Sequence, residues 1–337
     1  MDKHRFNEIS SSFSQKSILV IGDVMLDKFM WGKASRISPE APVPIISIDK
    51  ISHSPGGAAN VALNLSKLSA NVKILSIVGD DNESNQLEDN LLKNGVKTKF
   101  IKDAEKSTTT KTRIMAHGQQ VVRTDYEDKS HITSDQINII KDILSEITSG
   151  IDAIIIQDYN KGLLVEDCIK SILSISSKKN IPVYVDPKKD NFFVYNKIRL
   201  FKPNMFEFES MINFDKQIKS FEELGKDLRE KVNAEILMVT RSEEGVTLFT
   251  DNNVQTIGTK ARKVHDVSGA GDTAISAFVL ADLCGANIEE SAIISNYAAG
   301  RVCEEVGVVP ISLEMIKDIV EHYSNSVSYT HLRAHET

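Results

Sequence analysis

A carboxylate stands inside a glycine-rich run, Asp266-Val267-Ser268-Gly269-Ala270-Gly271-Asp272-Thr273, which leads straight into an apolar helical segment over 274–283. Small residues ahead of a helix let successive backbone N–H groups point outward together. The helix N-terminus adds partial positive charge, so the run reads as an anion site. Asp272 lies in the first turn beside that site and stays ionised there. A carboxylate base next to an anion pocket suits phosphoryl transfer, in which the protein positions groups, stabilises charge and accepts the proton of the attacking hydroxyl.

Two other readings fit the same letters. Asp272 could serve only the helix dipole. Gly269-x-Gly271-x-x-Ala274 also matches a dinucleotide fingerprint, which needs a buried strand immediately before it within a βαβ unit. The preceding Thr259-Lys260-Ala261-Arg262-Lys263-Val264-His265 does not read as such a strand, and no acidic residue follows at the end of a second one. A GxxxxGKS/T run is absent from the sequence, which disfavours a P-loop nucleotide hydrolase.

The elements that must position Asp272 alternate in type. Ser17–Gly22, Ile74–Val78, Ala153–Ile156, Val183–Val185 and Ile236–Val239 are continuous apolar runs. Helical spacing occupies Ala58–Leu68, Glu83–Lys93 (closed by Gly95) and Val165–Ser177. Continuous apolar strands separated by helices predict an α/β fold, a three-layer sandwich around a mostly parallel sheet. Two regions break the rhythm. Residues 28–55 hold four prolines and the β-like run Val43–Ile48, and 107–125 read as two strands around a His117-Gly118 turn. Together they predict a small β-sheet projecting as a lid, against the plainer reading of two surface hairpins.

The 337 residues are ample for a large core, and 41% apolar with 26% charged residues is ordinary globular composition. A net charge of −7 argues against a general nucleic-acid binder, although Lys178-Lys179 and Lys188-Lys189 could contact phosphate. No run has the length of a membrane span, and the polar stretch Met1–Lys16 lacks a signal-peptide core. Cys168, Cys284 and Cys303 lie far apart in apparent helices, without metal spacing; they read as buried reduced thiols of a cytoplasmic protein. Residues 328–337 continue no earlier pattern and read as a non-native tail.

The run Asp266–Thr273 resembles the C-terminal signature of the PfkB, or ribokinase-like, carbohydrate kinases. Pro55-Gly56-Gly57-Ala58-Ala59-Asn60-Val61-Ala62, followed by Gly79-Asp80-Asp81, resembles their N-terminal signature. The likeness runs from about Ser17 to about Tyr323. It implies a ribokinase-like three-layer α/β/α sandwich with a β lid, formed by a single kinase domain over 1–327. Asp272 would be the catalytic base, and the backbone of Gly269, Ala270 and Gly271 the anion hole for the γ-phosphate. Asn204-Met205-Phe206-Glu207 matches the family's Asn-x-x-Glu motif, which helps organise Mg²⁺ and the ATP phosphates largely through water. By spacing alone the same pair reads as a capping box. Thr240, Gly245 and Asn296 would line the ATP groove, Asn296 otherwise being a helix-surface amide. Asp27, Gly56, Gly57 and Asn60 would meet the sugar, with Asp23 either beside them or a turn residue. The resemblance also leaves room for a monovalent cation, and implies a homodimer through the lid.

Gly22–Asp27, Trp31-Gly32, Ser35–Pro44, Asp158–Gly162 and Asp186-Pro187-Lys188 look most like the heptose 7-phosphate kinases of lipopolysaccharide-core synthesis. The implied reaction joins ATP and D-glycero-β-D-manno-heptose 7-phosphate to give the 1,7-bisphosphate and ADP. A phosphorylated sugar needs a cationic clamp, for which Arg36, Lys161 and Lys188 are candidates. Many members of this subgroup carry a second, nucleotidyl-transferring domain with an HxGH-type motif; none is seen here, so a kinase-only or truncated protein is expected. The alternatives are another PfkB-type kinase, for ribose or fructose, and a non-catalytic sugar-binding protein.

Overall fold

The structure, a computed structural model, describes residues 1–212, 219–259, 264–305 and 307–333, the last ten of these by backbone alone. Its main sheet is built by the apolar runs. In β1 (Ser17–Gly22), Ile18 and Val20 enter one core while Leu19 and Ile21 enter another. The same division holds in β4 (Asn71–Gly79), where Ile74 opposes Leu75, and in β8 (Ala153–Gln157), where Ile155 opposes Ile154 and Ile156. Strands apolar on both faces need cover on both. One face carries α1 (Lys3–Ser10), α2 (Ala58–Lys67), α3 (Asn82–Lys93), α8 (Ala270–Leu283), α9 (Ile288–Val302) and α10 (Leu313–Arg333). The other carries α4 (Ser134–Ile147), α5 (Glu166–Lys178), α6 (Met205–Met211) and α7 (Phe221–Lys231). Helix α8 is buried from Asp272 to Ala281 on every side, as expected of a segment apolar all round.

The remaining strands of this sheet are β5 (Lys97–Asp103), β9 (Val183–Asp186), β10 (Ile198–Phe201), β11 (Ala234–Thr240), β12 (Val246–Phe249) and β13 (Val254–Ile257). Their order is β13-β12-β11-β10-β9-β8-β1-β4-β5. All pairings are parallel except those of β12 and β13, which form an antiparallel edge. The chain leaves β1 for β4 and β5 on one side, then returns to β8 on the other. That reversal opens a crevice at the carboxyl ends of β1 and β8, where open α/β sheets bind ligands.

The lid is a second sheet of β2 (Val24–Ile37), β3 (Pro44–Gly57), β6 (Thr110–Ala116) and β7 (Gln119–Tyr126), in the order β3-β2-β6-β7. Its strands start a few residues before the irregular 28–55 segment because β2 leaves β1 after Asp23 alone. His117 and Gly118 join β6 to β7 with φ of +51° and +78°, the double left-handed turn that suits a tight hairpin.

Sequence patterning assigned no element to the first 16 residues, yet α1 docks there through Phe6 and Ile9, and Phe13 follows in a short turn. Cys168 and Cys303 are buried, whereas Cys284, at the end of α8, is partly exposed, contrary to expectation. Burial pushes the Cys168 thiol up to about 12. Helix α10 runs on into the 328–337 stretch; residues 334–337 lie outside the described residues. Among the described residues no helix is long and apolar enough to cross a membrane.

Candidate active site

Gly269 caps α8 with φ of +79°, a left-handed conformation that costs a side-chain-bearing residue roughly 1–2 kcal/mol. A Cβ there would also lie 2.9 Å from Asn60 Nδ2. Ala270, Gly271 and Asp272 follow as the first turn, whose N–H groups have no carbonyl four residues back within the helix. Lys202 Nζ lies 3.7 Å from where a Cβ on Gly271 would stand, so a cation faces the same amides. The strand before this segment is β13, an antiparallel edge, which removes the dinucleotide-fingerprint reading; residues 260–263 of the lead-in lie outside the described residues.

Asp272 is 5% exposed and accepts hydrogen bonds on both oxygens. Oδ2 takes Asn60 Nδ2 at 2.8 Å, and Oδ1 takes Tyr159 OH at 2.9 Å and Gln157 Nε2 at 3.1 Å. Burial pushes this carboxyl up to about 6. The Asn60 and Tyr159 hydrogen bonds and Lys202 oppose the rise, while Asp186 adds to it. Gln157 Nε2 also donates to Asp186 Oδ2 at 3.0 Å, and Lys202 pairs with that oxygen at 2.9 Å. The ends of β8, β9 and β10 thus converge on the first turn of α8.

The lid meets this centre at its base. Gly57 leads into α2, which carries Asn60. Gly56 faces Asp27: a Cβ on Gly56 would collide with Asp27 Oδ2. Asp27 is buried and paired with Arg113 of β6, whose guanidinium lies 5.1 Å from the centre of the Phe29 ring. The four expected sugar contacts, Asp27, Gly56, Gly57 and Asn60, are therefore neighbours, with the last bonded to Asp272. Asp23 serves the turn instead. Its buried carboxylate receives the N–H groups of Tyr159, Lys161 and Leu163, and burial outweighs those bonds to raise its pKa.

The proposed phosphate clamp does not assemble as expected. Arg36 is exposed near the outer end of β2, nine residues beyond Asp27 and so about 30 Å along the strand. Lys161 is paired with Glu127, and Lys188 with Glu207. Burial pulls the Lys188 ammonium down, but Glu207 and the nearby Asp186 and Asp158 outweigh it, and its pKa rises.

Asn204 and Glu207 form a complete capping box on α6: Asn204 Oδ1 accepts Glu207 N at 2.8 Å, and Glu207 Oε2 accepts Asn204 N at 2.9 Å. Among the described residues no cluster of three or more His, Cys, Asp or Glu side chains could hold a metal. Thr240 ends β11 in a bridge to Asn204. Gly245 precedes β12, which pairs with β13, and Asn296 Nδ2 donates to Gly258 O at 2.8 Å just beyond β13. These three residues therefore share one edge. Asn296 is buried, not a surface amide.

Sequence reasoning missed Gln157, Tyr159, Asp186, Lys202 and Arg113 as parts of the centre. The signal for three of them lay in segments already singled out, Asp158–Gly162, Asp186–Lys188 and the Lys202-Pro203 that precedes Asn204; Gln157 and Arg113 had none.

The pattern of pfkB family carbohydrate kinases matches residues 15–314. The chain is 36% identical over 319 residues to the bifunctional protein HldE of Marinomonas sp. (strain MWYL1), covering 94% of this chain and 66% of that protein. It is 38% identical over 302 residues to the bifunctional protein HldE of Aliivibrio fischeri (strain MJ11), covering 89% and 63%. It thus spans slightly less than two thirds of the length of these relatives. Phosphofructokinase-2 from Escherichia coli in complex with potassium superposes with a TM-score of 0.76 at 19% identity, over 92% of this chain and 99% of that one. A ribokinase from Thermotoga maritima does so at 0.69 and 20%, over 91% and 99%. Both share the ribokinase-like fold.

Proposed function

Because the chain belongs to the pfkB family of carbohydrate kinases, we propose that it transfers the γ-phosphoryl group of ATP to O1 of D-glycero-β-D-manno-heptose 7-phosphate, forming the 1,7-bisphosphate and ADP on the route to lipopolysaccharide core. The observation that carries the kinase mechanism is Asp272 in the first turn of α8, beside the helix N-terminus and within one hydrogen bond of the lid-side Asn60. The sugar lies at the lid base, with hydroxyls on Asp27 and close approach to the Gly56-Gly57 backbone. Its O1 hydroxyl gives its proton to Asp272 as O1 attacks the γ-phosphorus. The bond to the β–γ bridging oxygen breaks and ADP leaves with that electron pair. The Gly269–Gly271 amides and Lys202 stabilise the charge on the transferring group.

ATP lies along the edge marked by Thr240, Gly245 and Asn296. Oxygen donors suit a hard cation that keeps most of its waters and phosphate ligands, so Asn204 and Glu207 would hold Mg²⁺ through water. When bound, Mg²⁺ neutralises phosphate charge. The HldE relatives and the subgroup-like segments support the heptose reading. Lys161 and Lys188 would exchange their carboxylates for the substrate phosphate. The remaining parts of the proposal are a cytoplasmic homodimer joined through the lid, and a monovalent cation that assists turnover.

The test is coupled ADP release with Mg-ATP and the heptose 7-phosphate, comparing wild type with Asp272→Asn. Turnover that collapses in the variant is expected. Turnover only with an unphosphorylated sugar would overturn the heptose assignment, and no turnover with any sugar would overturn the kinase assignment.

A further inference from the structure

Tyr159, in the segment Asp158-Tyr159-Asn160-Lys161-Gly162, has no role in the mechanism above, yet it places a phenol on the catalytic carboxylate. Asp158 serves the loop itself: it accepts Asn160 N, Asn191 Nδ2 and Tyr195 OH. Asp23 ties down the N–H groups on either side of Asn160. Tyr159 is therefore held by its own backbone, and its ring packs beneath Lys188, with Nζ 5.6 Å from the ring centre. Its hydroxyl reaches Asp272 Oδ1 at 2.9 Å. The two oxygens of Asp272 are unequally used. Oδ1 takes both Tyr159 and Gln157, while Oδ2 takes Asn60 alone. A carboxylate oxygen has two good acceptor directions. Oδ1 is filled, and Oδ2 keeps one direction open.

We propose that Tyr159 is a positioning residue that, with Gln157, saturates Oδ1 and so commits Oδ2 of Asp272 to the proton of the acceptor hydroxyl. The inference rests on the kinase reading of this site and adds the division of labour between its two oxygens. The groups facing Asp272 are Asn60 from α2, Gln157 and Tyr159 from the end of β8, Asp186 from the end of β9, and Lys202 just beyond β10. Tyr159 stays a donor throughout the working range, because burial and the Asp272 and Asp186 carboxylates raise its own pKa. A donor to a carboxylate favours the ionised form, so its loss raises the pKa of the base.

The experiment compares wild type, Tyr159→Phe and Tyr159→Leu. A structural ring would be replaced fully by Phe. A positioning hydroxyl would not. Tyr159→Phe is expected to keep the wild-type melting temperature and KM for ATP, to lose about tenfold or more in kcat, and to move the acidic limb of kcat/KM upward by about one pH unit. A Phe variant with wild-type kcat and an unmoved limb would overturn the proposal. So would one with higher kcat and lower KM for the sugar, which would mark the phenol as a blocker. A ¹³C-carboxyl NMR titration needs no substrate, with the Asp272 signal assigned by its loss in Asp272→Asn. The signal should titrate higher in Tyr159→Phe, and an unchanged titration would overturn the proposal. If no sugar is phosphorylated but the NMR shift appears, the kinase reading fails and the Tyr159–Asp272 coupling stands.

Discussion

Asn60 donates to Asp272 across 212 residues of sequence, Nδ2 to Oδ2 at 2.8 Å. One hydrogen bond thus joins the helix that follows the lid to the helix that opens the anion site. Asn60 is itself fixed, since its carbonyl and its Oδ1 both accept from Asn64 Nδ2, and Asn64 Oδ1 in turn accepts Ile311 N. The Asp272 carboxylate is oriented from the lid side by a chain of buried amides.

Asn60→Ala removes that donor. Hydrogen bonds to charged groups contribute about 1.5–3 kcal/mol, so kcat should fall by roughly 10- to 100-fold. The acidic limb of the rate profile should rise, because the ionised base has lost a donor. Steady-state kinetics between pH 5 and 8 would show both.

Asp272 has a pKa of about 6, above its ordinary value, because burial disfavours its charge. Wild-type kcat/KM should therefore fall as pH drops through about 6. Stability carries the opposite sign: the folded state holds this proton more tightly than the unfolded state, so stability is lost as pH rises from about 4 to about 6. Asp272→Asn removes the titration. Its melting temperature relative to wild type should climb across that window, by at most the equivalent of about 3 kcal/mol. A constant difference from pH 4 to 8 would contradict this.

Gly56→Ala would drive a methyl group into the Asp27 carboxylate, which Arg113 holds in place. Overpacking of this kind costs about 1–3 kcal/mol. The KM for the sugar should rise at least tenfold with the KM for ATP unchanged, as substrate-saturation curves would reveal.

Arg113→Ala leaves the buried Asp27 carboxylate without its cation, and breaking a buried pair costs about 3–5 kcal/mol. Arg36→Ala alters an exposed side chain and should stay within about 0.5 kcal/mol of wild type, with sugar KM unchanged within about twofold. Melting curves and kinetics on both variants test the contrast. A large KM effect at Arg36 would mean that it acts on another subunit's site.

Ile37, Val43, Ile51, Val121 and Val122 are exposed on the lid. Exposed apolar side chains on a small sheet favour association. Sedimentation velocity should show a dimer that Ile51→Asp shifts toward monomer.

Much of this arrangement was legible beforehand because it is local. The Gly269–Asp272 turn, the buried runs of β1 and β8, and the His117-Gly118 hairpin all declare themselves within a few residues. The contacts that were missed are not local. Gln157, Asp186 and Lys202 reach Asp272 or its neighbours because β8, β9 and β10 lie side by side, and strand order is not written in the period of any one strand. Helix α1 was missed for another reason: Phe6, Ile9 and Phe13 are too few apolar positions among polar ones to reveal a buried face. Arg36 belongs to the same subgroup-like segments as Asp27, but an extended strand spreads its residues over a long distance, and sequence proximity does not bring the two side chains together.

Strands β2 and β3 run as one continuous pair from Asp27 and Gly56 outward to Ile37 and Pro44, with two bulges on the way. Asp27 and Ile37 stand about 33 Å apart along that pair, so a 10° tilt about Asp27 would swing the tip by about 6 Å. The lid is mechanically a long lever with its fulcrum at Asp27 and Gly56. Small shifts at Asp27 become large displacements at the tip around Ile37 and Pro44. Read in the other direction, whatever grips the tip trims the position of Asp27 by a small fraction of its own movement.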